Sequence, residues 1–268
     1  MSICKWIIFL SMFLVLSAIL MFGCRNETVV PVPTTNYAGV EKPSDTLIVM
    51  LPGRGGSMKD FEEEGFIKLA KEEGLRSDIV TVDLHEGYYY NRTMIERIRL
   101  DVVQPAMAKG YRKIWFVGVS LGGFGALMYA KENNANIAGI LTIAPYLGSQ
   151  IVEEIEEAGG IQKWEPQVNS SSEKYEVDLW KWLKQGHGGT PLYLVYGTDD
   201  RMASSHKMLA ELLPQAQTIA IPGGHNWKTW NALWKLFLQK DIILRPSQAA
   251  NQTRTAWKGF RHFVIQEE

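Results

Sequence analysis

The chain has 268 residues, 46% hydrophobic and 21% charged, a balance that suits one globular domain with a sizeable core. A formal net charge of -1, with no basic cluster on any segment, gives no electrostatic footprint for nucleic acid. The two cysteines, Cys4 and Cys24, both sit near the N-terminus, so the body holds no disulfide framework, thiolate metal site or cysteine nucleophile.

Residues 1–23 have the layout of a secretory signal: a short charged start with Lys5, an apolar run from Trp6 to Phe22, then Gly23. The segment MFGC resembles the lipobox of bacterial lipoproteins, with Met21 where leucine is usual and Phe22 bulkier than the usual small residue. That resemblance implies that Cys24 becomes the lipidated first residue of an exported cell-envelope lipoprotein, membrane-anchored and outside the cytoplasm. The other reading is an uncleaved signal anchor, since about 17 apolar residues lie at the lower edge of what spans a bilayer. Residues 24–45, polar and punctuated by proline, read as an extended linker between the anchor and a domain over 46–268.

Within that domain, short apolar runs alternate with helical stretches. TLIVML (46–51) ends in the glycine loop PGRGG; FEEEGFIKLAKEEG (61–74) reads as one amphipathic helix and DIVTVDL (78–84) as a strand. RTMIERIRLDVVQPAMAKG (92–110) reads as a long helix kinked or ended near Pro105. KIWFVGV (113–119) is a buried strand and LGGFGALMYAKEN the helix after it. IAGILTIAP, PLYLVYG and QTIAIPGG are three further strands, and SSHKMLAELLP and WKTWNALWKLFLQ complete the helices. Runs that are apolar throughout, not alternating, are what parallel strands covered on both faces require. The expected fold class is therefore α/β: a mostly parallel central sheet with helices on both faces.

Residues 149–189 interrupt this rhythm. The segment exceeds an ordinary crossover and predicts a small cap above the strand ends. Trp164, Tyr175, Trp180 and Trp182 give it aromatic material, either to pin it on the sheet or to touch substrate.

The sequence GVSLGG sets Ser120 between Gly118 and Gly122, where a strand runs into a helix. A serine there sits on a sharp turn in which a side chain two residues to either side would strike neighbouring backbone. A serine hydroxyl needs a base to take its proton. His225, in IPGGHNW after the last strand, is the candidate. His85 follows a strand end, His187 lies in a glycine loop, His206 on a helix and His262 in the tail, none where a base is expected. The orienting acid falls in YGTDDRM, where Asp200 is favoured and Asp199 is a cap or hydrogen-bonding neighbour.

The order Ser120, Asp200, His225 and their strand-end positions resemble the α/β-hydrolase superfamily, over about Thr46–Gln239. The resemblance implies an α/β-hydrolase fold and an oxyanion hole made by the backbone N–H groups of Arg54 and Leu121. The His-Gly pair usual in the first of those loops is replaced by Pro52-Gly53. The Arg54 side chain is either solvated or placed to meet an anionic substrate. The implied activity is a serine hydrolase cleaving a carboxylic ester, or a related acyl compound, through an acyl-enzyme on Ser120. Its substrate is expected to be small and acyl- or lipid-like. Acyltransferase, thioesterase or peptidase chemistry would use the same three residues, and a non-catalytic tethered binding protein is the reading from another class. No metal or organic cofactor is called for. The tail segment TAWKGFRHF reads as a last packed element or as a bilayer contact.

Overall fold

The computed structural model describes residues 27–39, 44–167 and 170–243. The signal segment 1–23, Cys24 and the tail TAWKGFRHF lie outside the described residues. Its strands are β1 (Thr34–Tyr37), β2 (Thr46–Leu51), β3 (Asp78–Val82), β4 (Lys113–Val119), β5 (Ile137–Ile143), β6 (Leu192–Gly197) and β7 (Thr218–Ile221). They form one sheet in the order β1-β3-β2-β4-β5-β6-β7. The strands from β2 to β7 are all parallel. Every residue of β2 and all but Lys113 of β4 are buried, which is why these strands read as unbroken apolar runs.

One part of the 24–45 linker is corrected by the structure. Thr34–Tyr37 is an edge strand, antiparallel to β3, with Thr34 opposite Val82. Just before it, Val32 is buried. A four-residue edge strand needs few apolar residues, so TTNY gave no strand signal.

The helices are α1 (Asp60–Glu63), α2 (Phe66–Glu72), α3 (Glu86–Tyr90), α4 (Met94–Arg97), α5 (Gln104–Ala108), α6 (Leu121–Glu132), α7 (Gln150–Glu157), α8 (Lys174–Lys184), α9 (Ala203–Ala210) and α10 (Trp227–Gln239). One face of the sheet is covered by α2 and α10, where Phe66 stacks on Trp234 with ring centroids 5.8 Å apart. The other face is covered by α4 to α9. The single helix expected over 61–74 is broken at Gly65, whose φ of 90° is left-handed and ends one helix as the next begins. The long helix expected over 92–110 contains a π turn at Ile98–Val103, and Pro105 then falls in the first turn of α5. Proline lacks the N–H for an i−4 bond, and the widened turn ahead of it absorbs that mismatch.

The expected cap is in large part the crossover that joins the parallel neighbours β5 and β6. Ile151, Ile155, Trp164, Trp180 and Leu183 are buried in the same core as α6. The Trp180 indole N–H donates to Leu147 O at 2.8 Å, so this ring pins the segment to the loop after β5. The crossover is closed by Glu154, whose carboxylate accepts from the hydroxyls of Ser170, Ser171 and Ser172 and from the Ser172 N–H. Partial burial opposes ionisation of Glu154, but these donors outweigh it and hold the carboxyl below its ordinary range. A depressed carboxylate stabilises the fold above its unfolded pKa and loses that contribution as pH falls through its folded pKa. Glu154→Ala is expected to cost about 1–2 kcal/mol at neutral pH and to open Ser170–Ser172 to limited proteolysis. The difference from wild type, measured by denaturant unfolding across pH, should shrink on acidification.

Candidate active site

Ser120 stands between the last residue of β4 and the first of α6, at φ 52° and ψ −114°. Close packing on both sides forces this turn. A Cβ on Gly118 would come within 2.2 Å of Gly122 O, and a Cβ on Gly122 within 2.1 Å of Leu51 O. Neither contact is physically possible, so both positions exclude a side chain. The Ser120 backbone is gripped by the end of β5: its N–H donates to Ile143 O at 2.9 Å, and its carbonyl accepts from Tyr146 N at 3.0 Å.

The structure brings the three residues singled out in the sequence into one hydrogen-bonded line. His225 Nε2 lies 3.0 Å from Ser120 Oγ, and His225 Nδ1 lies 2.7 Å from Asp200 Oδ2. A carboxylate can only accept, so Nδ1 carries the proton and Nε2 is left to accept from the serine hydroxyl. The Asp200 side chain has no exposed surface, and that of His225 is 12% exposed. Burial works against the Asp200 charge, yet His225 and the Met202 N–H, 2.9 Å from Oδ1, hold the carboxyl below its usual range. The imidazole ring is backed edge-on by Trp230, with centroids 4.9 Å apart.

Asp199 has a different task. Its carboxylate accepts from Gly223 N at 2.9 Å while its own N–H donates to Gly223 O at 3.0 Å, a reciprocal tie between the loops after β6 and β7. The acid loop is thereby clamped to the loop that carries His225. On the third side lies PGRGG, turned tightly by a Gly56 N–H bond to Gly53 O with Gly55 at φ 74°. Gly55 N donates to Glu86 Oε1 at 3.0 Å. A Cβ on Gly53 would stand 3.4 Å from Ser120 Cβ, so the loop carrying Arg54 abuts the serine. Leu121 opens α6, where the first N–H groups lack intrahelical acceptors.

Of the remaining histidines, His85 caps α3 by accepting from Gly87 N, and His187 sits in its glycine turn. His206 was missed as a structural element of the site. It is fully buried, its Nε2 donates to Pro145 O at 3.0 Å, and its ring rests against Tyr196. It therefore ties α9, which follows the acid loop, to the segment that grips Ser120. His206, Leu209 and Leu213 fall at helical spacing on one buried side, and that stripe was the available signal. Aromatic side chains gather beside the serine: Phe124 on α6 packs against Tyr146 and Tyr175, with centroids 5.9 and 6.0 Å away. Tyr175 is 42% exposed. Among the described residues no set of three or more His, Cys, Asp or Glu converges as metal ligands.

No protein-family model and no curated relative matches the sequence. Solved structures do match. FphF of Staphylococcus aureus, a fluorophosphonate-binding serine hydrolase, aligns with 82% of this chain and 96% of its own, at TM-score 0.59 and 15% identity. The S-formylglutathione hydrolase FrmB of the same organism aligns over 80% and 96%, at 0.54 and 14%. Est1E of Butyrivibrio proteoclasticus, solved with ferulic acid bound, aligns over 79% and 96%, at 0.52 and 15%. At such identities the likeness is one of fold, and the chain has the α/β-hydrolase fold.

Burial pushes the His206 pKa down to about 4. The neutral ring therefore supports the fold fully above the unfolded value near 6.5, and that support is lost as pH falls toward 4. Thermal unfolding should show a stability loss of roughly 3 kcal/mol across this window from His206 alone. In His206→Gln that pH slope should flatten, which differential scanning calorimetry between pH 7 and 4 would read.

Proposed function

We propose that this protein is a serine hydrolase that cleaves a carboxylic ester, or a related acyl compound, through an acyl-enzyme on Ser120. The observation that carries the reading is the continuous line from Ser120 Oγ through His225 to buried Asp200. In the proposed reaction His225 Nε2 accepts the serine proton as Oγ attacks the substrate carbonyl. Asp200 holds the ring in the tautomer that can accept, and stabilises the imidazolium that forms. The carbonyl oxygen, now anionic, accepts from the N–H groups of Arg54 and Leu121. One such donor is worth about 3 kcal/mol in the transition state. His225 then returns its proton to the leaving group, and a water activated by the same ring hydrolyses the acyl-enzyme.

The aromatic group of Phe124, Tyr146 and Tyr175 supports an apolar or flat acyl or alcohol part in the substrate. Neighbours described as a fluorophosphonate-binding serine hydrolase, an S-formylglutathione hydrolase and a ferulic acid-bound protein are in keeping with acyl chemistry on this fold. Acyl transfer to a second acceptor, thioester cleavage and peptide cleavage would run on the same residues, and a substrate panel separates them. The proposal also covers the location: an envelope protein fastened by a lipid on Cys24. No helix among the described residues is long and apolar enough to cross a membrane.

A fluorophosphonate probe is expected to label the wild-type protein and to leave Ser120→Ala unlabelled. A wild-type protein that stays unlabelled would instead favour the non-catalytic binding reading. On p-nitrophenyl esters, Asp200→Asn should lower kcat/KM by roughly a hundred- to ten-thousand-fold through loss of the productive tautomer. Asp199→Asn, which keeps an oxygen to accept from Gly223, should lose far less.

A further inference from the structure

A cavity of about 310 Å3 lies at the end of the sheet opposite Ser120, where β4 and β5 begin and α6 finishes. It would hold about ten waters at ~30 Å3 each. Its volume is at the lower end of small-molecule sites. Its walls combine an apolar floor with polar side chains, Arg99 and Tyr129 among them. Val103, Ile114, Phe116 and Ile137 form the floor. Into it faces Tyr129, only 3% exposed, whose hydroxyl meets no hydrogen-bond partner among the described residues. Burial pushes this phenol up to about 12, so it remains an O–H donor at any ordinary pH.

Arg99 supplies the charge. The π turn at Ile98–Val103 turns Arg99 and Val103 into the same wall. Arg97, two residues earlier, is taken by Glu96 and Asp101, whereas Arg99 has no carboxylate at ion-pair distance among the described residues. It lies close enough to Tyr129 for its charge to act on the phenol. Glu132 stands exposed at the rim.

We propose that this cavity is a second ligand site, separate from the triad, which takes a small carboxylate with an apolar body. The guanidinium would meet the carboxylate, the Tyr129 hydroxyl would donate to it, and the apolar part would lie on the floor. One unpaired arginine balances one negative charge, and Glu132 at the rim repels a doubly charged phosphate head. Tyr129 lines the cavity, and its hydroxyl is a donor that a ligand there can take up.

Octanoate is a suitable probe, read by isothermal titration calorimetry and by NMR shifts. Saturable binding is expected in Ser120→Ala as in wild type, with shifts clustered at Arg99, Tyr129 and Ile137. Arg99→Gln should weaken it at least tenfold and Tyr129→Phe severalfold, while octan-1-ol binds more weakly than octanoate. Tyr129→Phe removes a single oxygen, so it keeps the test sound if Arg99→Gln folds poorly by circular dichroism. The proposal fails if octanoate does not saturate, if both variants bind as wild type does, or if shifts cluster at Ser120. Octyl phosphate binding as tightly as octanoate would overturn the single-charge assignment.

Discussion

The contact on which the site depends is the one between Gly122 and the carbonyl of Leu51, together with that between Gly118 and Gly122. These backbones approach so closely that the chain between them has a single route, and Ser120 is forced to a positive φ. A residue with a side chain at such angles costs on the order of 1–3 kcal/mol. The cost is offset by the surrounding lattice of bonds from Ile143 and Tyr146, which have no freedom of their own once β5 is in the sheet. The hydroxyl is thus presented at a fixed place before any substrate arrives. In physical terms the sheet is a jig, and the serine is what it holds.

The same economy recurs in the loops that supply the partners. Asp200 and His225 sit on the loops after separate strands, and the Asp199–Gly223 tie keeps those loops from drifting apart. His206 links α9 back to Pro145, one residue from the Tyr146 N–H that holds Ser120. The loop of Asp200 and the turn of Ser120 are therefore braced through His206 by neutral hydrogen bonds that lie outside the Ser120–His225–Asp200 line. The His206 support fixes geometry without adding charge near the imidazole, whereas the Asp199 tie uses a carboxylate.

The parallel strands could be read from the sequence because burial on both faces demands unbroken apolar runs, and TLIVML and KIWFVGV meet that demand almost residue for residue. The serine, histidine and acid were legible because glycine spacing and strand ends are local features. What was not legible was set by tertiary context. TTNY becomes a strand only because β3 offers it an open edge. Gly65 breaks a helix whose apolar spacing continues across it, and the π turn before Pro105 has no signature in residue type. The 149–189 segment reads as a small cap whose aromatics either pin it or touch substrate, and that choice is set only by the packing, which buries Trp164 and Trp180 in the main core. His206 on an amphipathic helix gives no hint of the carbonyl it will meet, since Pro145 lies 61 residues away.

The antiparallel course of β1 has a geometric consequence for the protein as a whole. Thr34 pairs with Val82, so β1 begins at the end of the sheet where the parallel strands finish, the end that carries Ser120. The residues before it are stitched there, Val29 to the Tyr88 hydroxyl and the Val32 N–H to Asp101. From Glu27 back to a lipid on Cys24, as proposed above, three residues reach at most about 10 Å. A leash that short, leaving from the end that carries Ser120, would face that residue toward the surface the protein is fastened to. Substrates would then arrive along that surface or through a narrow aqueous gap, and molecules already dissolved in the lipid would have the shorter path.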